Sequence, residues 1–455
     1  MATRSLFWFR RDLRLADNPA LLNALSAADE TLLLFIMDEE IAERSGPYRR
    51  AYLAQSLASL NQSVEGKLAI ISGEVGKVLH DVIMRYEITS IHASQEYAPY
   101  GVAAQKSVLV AGIEIEYTGS IYAVAPGRVR KPDGTNYRVY TPFFKAWQAH
   151  GWRAPVLAPK NPAFISPKAR DQELPTWKNP KGVNLQEAGE QAALARWAAY
   201  KVGEISSYDN QRNFPAVEGT SRLSPHLRWG EIHPRTILAD LNQSTAQDIF
   251  RKEIAWREFY ADVLHHYPHS SRDYYTASFS KMRYDKPTEK FTAWCEGRTG
   301  FPIVDAAMRQ LRTEGWMHNR TRMIVASFLV KDLHIEWRNG ADFFMKYLID
   351  NDAASNSHGW QWTAGCGTDA SPYYRVFNPI EQGRKFDPEG AYIKRFVPEL
   401  SHLLAPDIHT PWKVLDGLAH GYPAPIVDHA TERLESLARL EEIKVAKEPS
   451  PHQRA

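Results

Sequence analysis

Cysteine is nearly absent from this 455-residue chain, which holds only Cys295 and Cys366. Two thiols cannot build a disulfide framework or a four-cysteine metal centre, and their scarcity points to a reducing compartment. Long apolar runs are missing too: no stretch approaches the roughly 18 uninterrupted apolar residues a membrane helix needs. The first residues lack a basic region followed by an apolar core, so a secretory signal is not expected. These absences together predict a cytoplasmic protein with no membrane attachment and no metal. Charge of either sign is not in excess, the net value being +2; a basic patch is permitted but not demonstrated, and nucleic-acid binding stays open. There is no G-x-x-x-x-G-K-[ST] loop, no H-E-x-x-H helix and no G-x-S-x-G elbow. Internal repeats and low-complexity tracts are also lacking.

What is plentiful is tryptophan, with 13 residues. Core packing rarely calls for so many of the largest side chain. A Trp-rich core is the plain explanation; stacking surfaces or electron carriers are the sharper one.

The first third alternates short β-branched or aromatic runs (Ser5–Phe9, Thr31–Met37, Leu68–Ser72, Ser90–Ser94, Ile113–Tyr117) with amphipathic stretches such as Tyr48–Leu60 and Val75–Tyr86. That alternation predicts a parallel sheet flanked by helices. From Pro126 to about Pro180 frequent prolines break the pattern, which reads as a surface connector. Beyond Leu185 apolar residues recur at three- and four-residue spacing, notably in 249–265, 300–313, 317–333, 340–348 and 430–446. This part is expected to be all helical, ending in a short polar tail at 448–455.

Four segments stand out. Gly219-Thr220-Ser221-Arg222-Leu223-Ser224-Pro225 suggests a helix with Ser224 as N-cap and Pro225 at its first position; its hydroxyls and arginine suit an anion, and a simple capped helix is the rival. In Glu253-Ile254-Ala255-Trp256-Arg257-Glu258-Phe259, Glu253, Trp256 and Arg257 share a helix face. They could hydrogen-bond and stack on a base, or form a Glu–Arg pair beside a core Trp. In Gly315-Trp316-Met317-His318-Asn319-Arg320-Thr321-Arg322-Met323, Asn319 aligns with Arg322 and Met323 while Arg320 points to another side and could reach a phosphate; solvated arginines are the alternative. The fourth, Asp350 to Trp362, packs Asp350, Asp352, Asn356, Trp360 and Trp362 into one stretch, and its spacing does not fit a calcium loop. Gly365-Cys366-Gly367-Thr368-Asp369-Ala370 satisfies G-x-G-x-x-A, but no strand is predicted before it, so it is set aside.

In order along nearly the whole chain, these segments resemble the photolyase/cryptochrome family. The likeness is carried by Phe7-Trp8-Phe9-Arg10-Arg11-Asp12-Leu13-Arg14-Leu15, by Arg212 to Ser224, by Trp316-Met317-His318-Asn319-Arg320, by Trp360-Gln361-Trp362 and by Arg375-Val376-Phe377-Asn378-Pro379. The resemblance implies an α/β, Rossmann-like antenna domain (1–128), a linker (129–196), an all-helical FAD-binding domain (197–447) and a tail (448–455). It also implies light-driven repair of cyclobutane pyrimidine dimers in DNA by a class I enzyme acting as a monomer. The iron–sulfur branch needs four cysteines, and the (6-4) repair enzymes carry paired histidines near Asn319-Arg320.

By motif match, Tyr208, Thr220, Ser221, Arg222, Leu223 and Ser224 are implied to hold FAD, with Trp256 and Asn319 also at the cofactor. Arg322 and Asp350 are implied to be the ion pair beside the flavin ring, Asp352 a hydrogen-bonding partner, and Asn356 the residue facing flavin N5. Arg212, Glu253, Trp256, Asn319, Arg320, Met323 and Trp362 correspond to contacts of the flipped-out dimer. Family members reduce FAD through three tryptophans; Trp360 and Trp337 match the inner and middle ones, and Tyr284 stands at the outer place. Its proton is expected to pass to water. An antenna chromophore is implied near Phe35, Asp38 and Arg50, with 8-hydroxy-5-deazaflavin (8-HDF) favoured over folate (MTHF) because Tyr100-Gly101 replaces the folate type's Asn-Glu pair. The competing class is a blue-light receptor that signals without repair. Signalling members often carry a long C-terminal extension, and this chain ends soon after its last predicted helix.

Overall fold

In the computed structural model, which describes residues 2–107, 112–368 and 374–445, five strands form one parallel sheet: β1 (Arg4–Phe9), β2 (Glu30–Met37), β3 (Leu68–Ser72), β4 (Ser90–Gln95) and β5 (Ile115–Ser120), in the order β3-β2-β1-β4-β5. The apolar runs of β1 and β2 are nearly continuous rather than alternating, because helices cover both sheet faces. Register is tight from Arg4↔Glu30 to Phe9↔Phe35. Parallel neighbours need crossovers, here supplied by the helices Pro19–Ala27, Pro47–Ser63 and Val75–Tyr86. Asn18 caps the first through Leu21 N–H, and Glu74 caps the third through the N–H groups of Gly76 and Lys77. One core face is built from Leu6, Trp8, Leu32, Leu34, Leu79 and Ile91. Strand order diverges between β1 and β4, the usual crevice position in open α/β sheets.

The chain divides into two compact units, one of Met1–Asp209, Thr220–Pro268 and Ile349–Ala354, the other of Asn210–Gly219, His269–Leu348 and Ser355–Ala455. The first holds the sheet and also the long helix Thr245–His266. The second is helical, with Pro302–Glu314, Asn319–Lys331, Trp337–Tyr347 and His429–Val445 among its helices. Its core centres on Trp294, Val304, Met308, Phe328, Leu329 and Tyr392. The α/β and all-helical expectations both hold. The tail 448–455 and the Asp369-Ala370 end of the set-aside glycine motif lie outside the described residues. Gly365 follows the helix Ala353–Ala364 rather than a strand.

The connector is more structured than its prolines suggested. It contains the helix Tyr140–His150, with Pro142 in the first turn, where a missing N–H costs nothing. Trp147 Nε1 donates to Glu258 Oε2 at 2.6 Å and the Tyr140 hydroxyl to Lys252 O at 2.7 Å. These bonds fasten the helix to Thr245–His266.

Candidate flavin and lesion site

The assigned residues fall into both units. In the sheet-bearing unit, Tyr208 is buried and meets Phe250 edge-on, centroids 5.1 Å apart. The hydroxyl-rich segment turns sharply at Arg222, whose φ is +50°. That turn moves the helix start: Ser224 is the first residue of the helix Ser224–Trp229, Leu223 stands at the cap with αR backbone angles, and no side chain caps it. The expected Ser224 N-cap is thus corrected by one residue. Ser224 is exposed and Leu223 buried; the Leu223 N–H donates to Ser221 Oγ at 3.4 Å, and Arg196 Nε donates to the Ser221 carbonyl at 2.6 Å.

On the helix Thr245–His266, Glu253 and Trp256 are half-buried. Arg257 turns its guanidinium to the carbonyls of Ile121 and Leu227, both at 3.1 Å, and over the Tyr122 ring. Trp256 has a partner the sequence did not reveal. Tyr140 stacks on it with centroids 3.7 Å apart and planes 6° from parallel.

Asp350 and Asp352 are both buried. Asp352 Oδ2 accepts from Arg11 Nη2 at 2.5 Å, and its Oδ1 from Ala354 N–H at 3.1 Å. Around this carboxylate gather three arginines. Burial opposes charge on Arg11, but Asp352 and Glu96 outweigh it and raise its pKa. Burial, then the nearness of Arg11, pushes Arg49 down to about 10; burial, then Arg11 and Arg49, pushes Arg228 well down. Nε of Arg49, Nη1 of Arg228 and both amide atoms of Asn351 are buried with no hydrogen-bond partner among the described residues. Unpaired buried donors are costly, and an anionic, polar cofactor would satisfy them. The hydroxyls of Thr220, Ser221 and Ser224 offer further donors to phosphate. The residues of this unit fit FAD.

In the helical unit, His318 caps the helix Asn319–Lys331 by accepting Arg320 N–H at 3.1 Å. Asn319 is exposed and Arg212 half-buried. Arg320 Nη2 donates to Asn213 Oδ1 at 2.7 Å, its Nη1 lies 3.7 Å from Met323 Sδ, and the guanidinium sits over Phe386 at 4.4 Å. Arg320 therefore shares a side with Met323, where the opposite was expected, because residues three apart are helix neighbours. Arg322 Nε donates to Met317 O at 2.8 Å.

Asn356 Nδ2 donates to Ala341 O at 3.0 Å, which fixes its amide orientation. Trp362 is half-buried. Trp360 is buried against Phe344 (5.0 Å) and Trp294 (6.2 Å), both edge-on. Trp337 is buried and meets Tyr274 edge-on at 6.2 Å. Tyr284 is half-buried rather than exposed, and its hydroxyl oxygen is buried beside the Tyr274 hydroxyl. The expected loss of its proton to water is not met by this placement.

Of the antenna residues, Phe35 is buried on β2. Asp38 accepts from Ile41 N–H at 3.1 Å and the Tyr100 hydroxyl at 2.6 Å. Arg50 lies over the Trp177 ring at 5.8 Å, while its neighbour Arg49 is the buried one.

Residues 5–163 match the family model described as DNA photolyase, and residues 250–442 the one described as FAD binding domain of DNA photolyase. A deoxyribodipyrimidine photo-lyase of Synechococcus sp. is 38% identical, covering 98% of each chain. The chain belongs to the DNA photolyase family. Photolyases are DNA-repair lyases that bind FAD, and this member carries both parts of the family fold. Among solved structures, a bacterial class III photolyase from Agrobacterium tumefaciens is similar with TM-score 0.92 and 37% identity over 98% of each chain. An archaeal photolyase from Sulfolobus tokodaii, described with two FAD molecules and a novel light-harvesting cofactor, has TM-score 0.84 and 29% identity over 97% of this chain and 100% of that one. Among the described residues no helix is long and apolar enough to cross a membrane.

Proposed function

We propose that the protein repairs cyclobutane pyrimidine dimers in DNA in a light-driven reaction, binding the lesion flipped out of the duplex. The observation that carries this reading is the near-full-length likeness to a deoxyribodipyrimidine photo-lyase, joined to the complete set of assigned lesion and flavin residues. What FAD supplies when bound is one-electron chemistry under light, which opens the cyclobutane ring and recovers the electron. The chain's own residues bind and orient. Trp256, backed by Tyr140, and Trp362 offer ring faces to the extruded bases. Glu253 hydrogen-bonds the electron-accepting base, Arg212 lies at the extruded dimer, and Arg320 reaches the backbone. With FAD bound, Asn356 would stand at flavin N5 and, being an amide, would offer it no acidic proton, which would favour an anionic flavin. Thr220, Ser221 and Ser224 would hold the phosphates, and Arg322 and Asp350 would be the charged partners of the flavin ring. Trp360 and Trp337 carry electrons inward when the cofactor is oxidised.

The domain division follows the same reading: 1–128 for an antenna chromophore, 129–196 as linker, 197–447 for FAD and lesion. The antenna assigned is 8-HDF. Beside the expectation of a class I enzyme stands the structural likeness to a class III photolyase. The test is illumination of reduced, FAD-loaded protein with a dimer-containing oligonucleotide. Intact thymines should reappear only under blue or near-UV light. Light-dependent signalling with no thymine recovery would favour the receptor reading instead.

A further inference from the structure

We propose that Tyr274, with Glu336 as its proton acceptor, ends the chain of electron donors that passes through Trp360 and Trp337. This rests on the light-driven electron-transfer reading above and deepens it. The position that sequence matching assigns to the last donor is Tyr284. A phenol gives up an electron readily only where a base can take its proton, because an oxidised phenol is a strong acid. A base must also lie within hydrogen-bond reach of that proton.

Tyr284 lacks such a base. Its buried hydroxyl oxygen has as its polar neighbour the Tyr274 hydroxyl, which is an acid and not a base, and its ring packs with the apolar cluster of Met282, Leu440 and Ile443. Tyr274 has what Tyr284 lacks. Its ring meets that of Trp337 edge-on, with centroids 6.2 Å apart and planes at 80°. Its hydroxyl donates to Glu336 Oε1 at 2.6 Å.

Arg338 holds the acceptor in place. Arg338 places its guanidinium 5.3 Å from the Tyr274 ring centroid and donates through Nε to Glu336 Oε1 at 2.9 Å. A cation at that distance opposes a second positive charge on the ring, so electron and proton must leave together. Burial first, and then the bond to Glu336, push the Tyr274 hydroxyl far above the ordinary tyrosine range, so in the dark its proton stays on oxygen. The Glu336 side chain is 25% exposed and can pass a proton on to water.

The step balances. The electron that leaves Trp360 goes to light-excited, oxidised FAD, and Trp337 refills Trp360. The oxidised Trp337 then takes one electron from Tyr274 while the Tyr274 O–H bond breaks and an O–H bond forms on Glu336 Oε1. Neutral Trp337, a neutral tyrosyl radical and a neutral Glu336 carboxylic acid result.

The test uses full-length protein loaded with oxidised FAD, flashed and followed by transient absorption and electron paramagnetic resonance. The parent should show a tyrosyl signal that grows as the tryptophan signal decays. Tyr274→Phe should abolish the tyrosyl signal and prolong the tryptophan radical, Tyr284→Phe should keep both kinetics, and Glu336→Gln should slow tyrosyl formation several-fold. A tyrosyl signal lost in Tyr284→Phe and kept in Tyr274→Phe overturns the proposal, as does a tryptophan radical of equal lifetime in all variants. Should Tyr274→Phe fail to retain flavin, judged by its absorbance, Glu336→Gln decides alone: unchanged kinetics there count against the proposal. A parent with no protein radical at all sinks the electron-transfer reading itself; Trp360→Phe, which should lose every radical, is the reference for that outcome.

Discussion

At the scale of single residues, space around Trp360 is set by a glycine. A Cβ on Gly340 would come within 2.1 Å of Trp360 Cη2 and 2.6 Å of Leu329 Cδ2. Gly340 lies inside the helix Trp337–Tyr347 with ordinary helical geometry, so it is the room it leaves, and not backbone freedom, that matters. Gly340→Ala should destabilise the protein by about 1–3 kcal/mol through overpacking, read as a lower urea midpoint. It should also displace Trp360 and change its fluorescence; an unchanged midpoint and spectrum would refute this. Arg320 is held by Asn213, Met323 and Phe386 before any DNA arrives. Arg320→Ala is expected to weaken binding to damaged and undamaged DNA alike and to flatten the salt slope by up to about one unit. A binding titration at several salt concentrations checks it, and a selective loss for one sequence would contradict the backbone role. The identities of these residues were readable in the chain; their partners were not. Asn213 and Phe386 are remote from Arg320 in sequence, and helical spacing predicts only neighbours three and four positions away.

At the scale of elements, the helix Asn319–Lys331 ends on a buried charge-bearing side chain. Lys331 is 2% exposed, its Nζ donates to Arg375 O, and it lies 4.2 Å from the Tyr374 ring centroid. Burial pushes it down from 10.5 to about 7. Between these values the unfolded chain binds more protons than the folded one, so stability should rise as pH climbs from about 7 towards 10.5. Lys331→Met should flatten that rise. Denaturant midpoints at three pH values would show it, and parallel curves for parent and variant would remove Lys331 from the effect. Proline density hid the helix Tyr140–His150, since proline breaks a helix interior but is tolerated in the first turn, and the turn was visible only once Trp147 and Tyr140 had found Glu258 and Lys252.

At the scale of the whole molecule, the prediction concerns the second chromophore. Purified from a host that makes deazaflavin, the protein should carry an absorption band beyond that of FAD; co-purified folate would overturn the 8-HDF assignment. The sequence by itself determined the order of the strands and of the main helices, the helix Tyr140–His150 excepted, because a strand buried on both faces demands a continuous apolar run and a helix a three-to-four spacing. It also determined the family, because the motifs from Phe7 to Pro379 recur in order. What only the tertiary structure decided is which remote side chains meet: Tyr140 on Trp256, Arg11 on Asp352, and the Glu336 carboxylate on the Tyr274 hydroxyl. Periodicity reports the face a residue occupies on its own element. The partner across the gap is chosen by packing, which brings together residues far apart in the chain.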